Sequence, residues 1–144
     1  MQTVADILNA KGNSVWTISP DTTVFDALKT MADKNVGALV VLAGEEVVGL
    51  VSERDYARKV ILHGKSSREI SVSEIMSTNI HSVRPDQNIE DCMEEMTDKR
   101  VRHLPVLDKN RLAGLISIGD VVKAIIDNQD ATIKHLENYI TGGR

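Results

Sequence analysis

A chain of 144 residues, 42% hydrophobic and 26% charged, is long enough for one compact core or for two small units packed together. Its net charge of −4 argues against general nucleic-acid affinity, which needs concentrated positive charge, and the single cysteine, Cys92, excludes an intramolecular disulfide and a Cys-based zinc site. Only 3% of residues are aromatic, so the core must be aliphatic; no apolar run approaches the ~20 residues that span a bilayer, and residues 1–12 lack the basic and apolar regions of a signal peptide. A soluble cytoplasmic chain is expected.

In chain order, residues 15–18 read as a first short strand, and Pro20-Asp21 then opens a helix. Val24, Ala27, Leu28 and Met31 follow helical spacing. Two apolar runs, residues 39–42 and 47–51, flank the turn residues Gly44-Glu45-Glu46 and read as buried strands. Gly49-Leu50-Val51-Ser52 leads into Asp55 and a second helix with Tyr56, Ala57, Val60 and Ile61 on its apolar side. Residues 63–71 are polar and read as a linker.

The same order then recurs. A strand is expected near residues 80–83, followed by a helix carrying Ile89, Cys92, Met93 and Met96. Strands follow at 104–107 and 112–116 around Asp108-Lys109-Asn110, and a helix begins at Ser117-x-x-Asp120. Laid over each other at an offset of 65, residues 18–62 and 83–127 are identical at 15 of 45 positions without a gap. A shorter match, Val4-Ala-Asp-Ile-Leu8 with Val72-Ser-Glu-Ile-Met76, has an offset of 68. The chain is a duplicated unit of the form strand–helix–strand–strand–helix. Neither copy alone would bury enough apolar surface for comfortable stability, so the two are expected to pack sheet to sheet about a pseudo-twofold axis, with crevices where they meet. After Asp127, Ile133, Leu136 and Ile140 have helical spacing, and Gly142-Gly143 stops that tail.

Ser52-x-x-Asp55 and Ser117-x-x-Asp120 have the form of a helix capping box. The same corner can receive an anion on free backbone N–H groups while the Asp accepts hydrogen bonds from a diol. Arg102 and His103 stand where the first unit has the small Gly37 and Ala38, so the fold does not require cations there and phosphate contact is the favoured reading. Cys92 matches Ala27 on a core-facing stripe, and His63, His81 and His135 lack metal-ligand spacing. Arg54 and Arg58 lie one turn apart beside Ser52 and either form a solvated helix face or reach an anionic ligand. No base–nucleophile pair, Walker loop or zinc motif is present, so catalysis is not expected.

With its two copies each closing in Gly-apolar-apolar-Ser-x-x-Asp, the chain resembles a tandem pair of CBS (cystathionine β-synthase) domains of the small, free-standing bacterial kind. The resemblance covers nearly the whole chain. It divides the chain into repeat 1 (residues 4–62), a linker (63–71), repeat 2 (72–127) and a helical tail (128–144), in an α/β (α+β) fold. It implies a regulatory module that binds an adenosine compound (AMP, ADP, ATP, NAD(H) or S-adenosylmethionine) between the repeats, forms a flat homodimer and signals to a separate effector protein, without catalysis and without contact to nucleic acid or membrane. One implied site uses Asp120, Gly119 and Ser117, with Arg102 and His103 toward phosphate and Thr22, Ala27 and Val36 around the base. The other uses Asp55, Arg54 and Ser52, flanked by Gly37 and Ala38, with Asn79, Ile80, His81 and Val101 around the base. Of the two, the Asp120 corner is expected to be the better phosphate site. The alternative is a purely structural dimerisation module with degenerate clefts, and a small nucleotide-processing enzyme ranks last.

Overall fold

The computed structural model describes residues 2–12 and 15–140; the side chains of residues 130–132, 134, 135 and 138–140, including His135 and Ile140, lie outside that description, as does Gly142-Gly143. The elements are α1 (Val4–Lys11), β1 (Thr17–Ile18), α2 (Val24–Lys34), β2 (Ala38–Ala43), β3 (Glu46–Ser52), α3 (Glu53–Lys59), 3₁₀ turns at Ile61–His63 and Val72–Glu74, α4 (Ile89–Lys99), β4 (His103–Asp108), β5 (Arg111–Ser117) and α5 (Ile118–Ile140). This is the expected mixed α/β architecture of two related units.

In the first unit β1 pairs parallel to β2, and β2 antiparallel to β3. In the second, β4 and β5 form the matching hairpin, with a register irregularity at Val106/Leu107 that repeats the one at Val41/Leu42. The strand expected at residues 80–83 is reduced to one parallel bridge, Val83 to Val106. Its cause lies in the partner strand. Val40 donates its N–H to the Trp16 carbonyl, whereas the equivalent Pro105 has no N–H with which to extend the ladder.

Both central helices start three residues later than Pro-Asp suggests. Thr23 caps α2 by accepting from the Asp26 N–H at 3.1 Å, and Asn88 caps α4 by accepting from the Asp91 N–H at 2.8 Å. Pro20-Asp21 and Pro85-Asp86 form the turns before these caps. A side-chain oxygen that satisfies an orphan N–H decides where the helix begins.

Two aliphatic cores result, and their membership crosses the order of the chain. One gathers Val24, Ala27, Met31, Leu39, Val41, Val51 and Val60 with Ile70, Val72 and Ile75. The other gathers Val83, Ile89, Cys92, Met96, Leu104, Val106, Ile116 and Val121 with Val4, Ile7 and Leu8 from α1. The backbone repeats this exchange. Val4 and Ala5 donate to the Gln87 and Pro85 carbonyls at 2.8 and 2.9 Å, as Val72 and Ser73 donate to Thr22 and Pro20 at 2.7 and 3.1 Å. Thus α1 docks on the second unit as residues 70–76 dock on the first. The segment read as a polar linker, residues 63–71, contains Ile70, which is buried and whose carbonyl accepts from the Val24 N–H.

That docking explains the glycine that opens each Gly-apolar-apolar-Ser motif. A methyl group at Gly49 would lie 2.5 Å from Met76 Sδ, and one at Gly114 would lie 2.6 Å from Leu8 Cδ2. Leu8 and Met76 are equivalent in the shorter repeat, so each glycine makes room for the segment docked across it.

The last helix of the second unit and the tail form one continuous helix, α5, of 23 residues. No helix among the described residues is long and apolar enough to cross a membrane.

Candidate functional site

The two Ser-x-x-Asp corners have nearly the same local geometry. The Ser52 N–H donates to Asp55 Oδ2 at 2.9 Å and the Asp55 N–H donates to Ser52 Oγ at 3.2 Å. Ser117 and Asp120 repeat these bonds at 2.9 and 3.1 Å. Both are therefore caps, and what distinguishes the corners is what surrounds them.

Beside the first corner lies a cleft of about 610 Å³ between the two units. Gly37, Leu50, Ser52, Arg54 and Asp55 form one side; Asn79, Ile80, His81, Val101, Arg102, His103 and Pro105 form the other. Four arginines are among its lining residues, Arg54, Arg58, Arg100 and Arg102, all of them exposed, against the acidic Glu53 and Asp55. The excess of cations along the cleft favours an anionic ligand, with an attraction that salt screens because the arginines are exposed. Asp55 also pairs with Lys59, whose Nζ lies 3.3 Å from Oδ1 and donates to the Ile75 carbonyl at 2.9 Å. His81 Nδ1 stands 3.7 Å from Glu95 Oε1.

Beside the second corner a smaller cavity of about 140 Å³ opens between α1 and α5. Here Lys11 Nζ donates to Asp120 Oδ2 at 2.7 Å and to the Leu115 carbonyl at 2.9 Å. Burial alone would raise the Asp120 pKa, but the Lys11 hydrogen bond, the Ser117 bonds and the Lys11 charge hold it below the ordinary carboxylate value. His103 faces the same charges. Burial pushes its pKa below the usual histidine value, Asp120 opposes this, and Lys11 and Arg102 reinforce it.

The placement differs in part from the grouping read in the sequence. Arg102 and His103, expected to serve the Asp120 corner, line the cleft that holds Ser52, Arg54 and Asp55. Their backbone remains joined to the other corner: His103 stands opposite Ser117 in the β4–β5 ladder, and the Ile118 N–H donates to the Arg102 carbonyl. Ala27, expected around a base, is fully buried in the first core, and Val36 packs against that core. Thr22 holds the docked segment through its carbonyl and shares a 3.2 Å hydroxyl contact with Ser19. Ala38 is a buried strand residue opposite Ser52, and Gly119 sits beside Ser117 in the first turn of α5.

Of the cleft arginines, Arg58 was one the sequence left open between a solvated helix face and an anionic ligand, and Arg100 stood outside the expected sites. Arg58 follows Arg54 by one helical turn, the spacing that puts both on one side of α3. Arg100 ends α4 in a left-handed conformation with φ of 55°, where its twin Asn35 has φ of 54°. The signal available in the sequence was that Arg100 stands at the repeat position of Asn35, a residue better suited to a helix end.

The duplicated strand–helix–hairpin–helix unit, with an arginine-lined cleft between the copies, defines the class of tandem-repeat modules. The CBS domain family model matches residues 4–62 and again residues 72–127, and the chain belongs to that family as a tandem CBS pair. It is 40% identical to the mitochondrial CBS domain-containing protein CBSX3 of Arabidopsis thaliana over 151 residues, covering 98% of this chain and 73% of that protein. Among solved structures, a candidate signal-transduction protein with CBS domains from Burkholderia ambifaria is 49% identical with a TM-score of 0.85, covering 89% of this chain and 96% of that one. The CBS domain pair of protein MJ0100, solved with 5′-methylthioadenosine and S-adenosyl-L-methionine, is 21% identical with a TM-score of 0.79 over 89% of this chain and 98% of that one, and so shares the fold.

Proposed function

We propose that this CBS pair is a non-catalytic sensor whose Asp55 cleft binds an adenosine ligand with a phosphate chain, of the ATP, ADP, AMP or NAD(H) type. The convergence of Arg54, Arg58, Arg100 and Arg102 on one cleft with Asp55 carries the reading. A cleft of about 610 Å³ falls within the roughly 300–1,000 Å³ usual for small-molecule sites. Asp55 would accept from the ribose hydroxyls, and the guanidiniums would hold phosphate oxygens through charge-assisted hydrogen bonds. The same field disfavours the sulfonium of S-adenosylmethionine. Because Arg54 and Asp55 come from one unit and Arg100 and Arg102 from the other, a bound nucleotide would bridge the repeats and favour one relative arrangement, to the extent of its differential affinity.

Self-association belongs to the same proposal. Ile118, Val122 and Ile126 lie at successive turns of α5 and are 42%, 39% and 50% exposed, an apolar stripe that a second copy would cover. Light scattering should give a dimer, and Val122→Glu with Ile126→Glu should give monomers. A monomeric parent chain would remove this part.

Calorimetric titration with ATP, ADP, AMP, NAD(H) and S-adenosylmethionine tests the ligand. ATP or ADP should bind most tightly and weaken steeply with salt, and Arg102→Ala should reduce affinity by about tenfold or more. The proposal fails if no adenosine compound binds, or if Arg54→Ala and Arg102→Ala leave the phosphate-bearing ligands unaffected. Failure to bind would favour the module with degenerate clefts.

A further inference from the structure

The two corners differ in one respect that the repeat does not predict. At the first, the chain leaves its 3₁₀ turn after Glu74, and Ser77 pairs with Leu50, donating to and accepting from its backbone at 2.9 and 3.0 Å. It then runs on through Asn79, Ile80 and His81, which wall the cleft. At the second, the docked segment stays helical through Lys11. The sequences explain the difference: Asn-Ala-Lys at residues 9–11 contains two good helix formers, whereas its counterpart Ser-Thr-Asn at 77–79 contains none. The Leu115 carbonyl, twin of the Leu50 carbonyl that Ser77 satisfies, accepts instead from the Lys11 ammonium.

That ammonium also makes the 2.7 Å ion pair with Asp120, the twin of the carboxylate assigned above to a ribose. It therefore engages Oδ2 of the motif carboxylate, which also accepts from the Ser117 N–H, together with the adjacent strand carbonyl. Asp55 has a lysine of its own, but Lys59 stands farther off, at 3.3 Å from Oδ1, and comes from the same helix, whereas Lys11 closes the Asp120 corner at 2.7 Å from a docked segment of the other unit. The space left is about 140 Å³, against about 610 Å³ at the other corner. The charges around it are Asp6, Asp120 and Asp127 against Lys11 and Lys123, the reverse of the arginine-lined cleft.

We infer that Lys11 is an internal occupant of the Asp120 corner and limits each chain to one nucleotide, held in the Asp55 cleft. This rests on the nucleotide reading of that cleft. Lys11→Met keeps the helix and the apolar stem but removes the charge, and should expose a second site.

The test is the number of nucleotide or nucleoside molecules bound per chain by the full-length protein and by Lys11→Met, with Lys11→Gln as a second variant should the first fold poorly. ATP reports the arginine-lined cleft, and neutral adenosine, which the carboxylates of Asp6, Asp120 and Asp127 do not repel, reports the Asp120 corner. The expected result is one for the parent chain and two for either variant, with the new site at least about tenfold tighter than any residual second binding in the parent. Asp55→Asn combined with Lys11→Met should retain only the new site. Two molecules on the parent chain, or one on both parent and variants, would overturn the role of Lys11 while leaving the Asp55 cleft intact. None on the parent and one on the variants would uphold Lys11 and refute the cleft. None on any of them would refute both.

Discussion

Gly114→Ala is a minimal test of how the two units are put together. The added methyl would stand 2.6 Å from Leu8 Cδ2 and 3.1 Å from Cδ1, both well inside contact distance. Leu8 is 5% exposed and belongs to the second core, so its branched end has little room to retreat. Overpacking of this kind costs about 1–3 kcal/mol. At roughly 2–4 °C per kcal/mol for a chain near this size, the melting temperature should fall by roughly 2–12 °C. Leu8→Ala alone should cost about 2–5 kcal/mol, because it empties a buried site. In that background the Gly114 methyl enters vacated space, and its cost should vanish or change sign. Urea unfolding of the four proteins gives the coupling directly, and a value of about 1–3 kcal/mol is expected with unchanged m-values. Gly49→Ala should be milder, because it meets the flexible thioether of Met76, which is only partly buried. The reasoning fails if Gly114→Ala is neutral, or if its cost simply adds to that of Leu8→Ala. Either result would mean that α1 does not sit on the strand that carries Gly114.

Cys92 is fully buried; desolvation, aided by the carboxylates of Asp91 and Glu90, pushes its thiol pKa up to about 11. A disulfide reagent at pH 8 should leave it unlabelled in the native protein and react fully in denaturant, since the thiolate is the nucleophile; rapid native labelling would contradict the buried helix face. Stability should also fall on acidification, for two reasons of the same sign. His103 binds a proton less readily when folded, so stability is lost as pH drops below 6.5 toward its lowered folded value. Asp120 contributes stability that is present above 3.8 and disappears as pH falls through its own lowered value. Melting temperatures between pH 7.5 and 5 should therefore decline less in His103→Gln than in the parent chain, and equal declines would count against the burial of His103.

Much of this protein was legible in the residues alone. Periodicity and turn chemistry located α2, α4 and both hairpins, and the gapless match between residues 18–62 and 83–127 revealed the duplication. These features depend on neighbours a few positions apart, which is why a linear pattern can carry them. The capping role of Ser52 and Ser117 was legible for the same reason, because a cap closes within three residues. The capping of α2 by Thr23 and not by Asp21 shows the limit even there, since several polar residues competed for one capping position.

Tertiary structure decided how those pieces were shared. Nothing in the spacing of Val4, Ile7 and Leu8 says that they complete the core of the second unit, because both units present the same kind of apolar face. The contact of Leu8 with the site of Gly114 joins residues far apart in sequence, and it gave the motif glycine a packing reason. The corners were separated in the same way. Sequence placed a Ser and an Asp in each, but only the folded chain carries Lys11 onto Asp120 and brings Arg100 and Arg102 around the cleft beside Asp55. Local bonding makes the two corners alike, and long-range packing makes them chemically different.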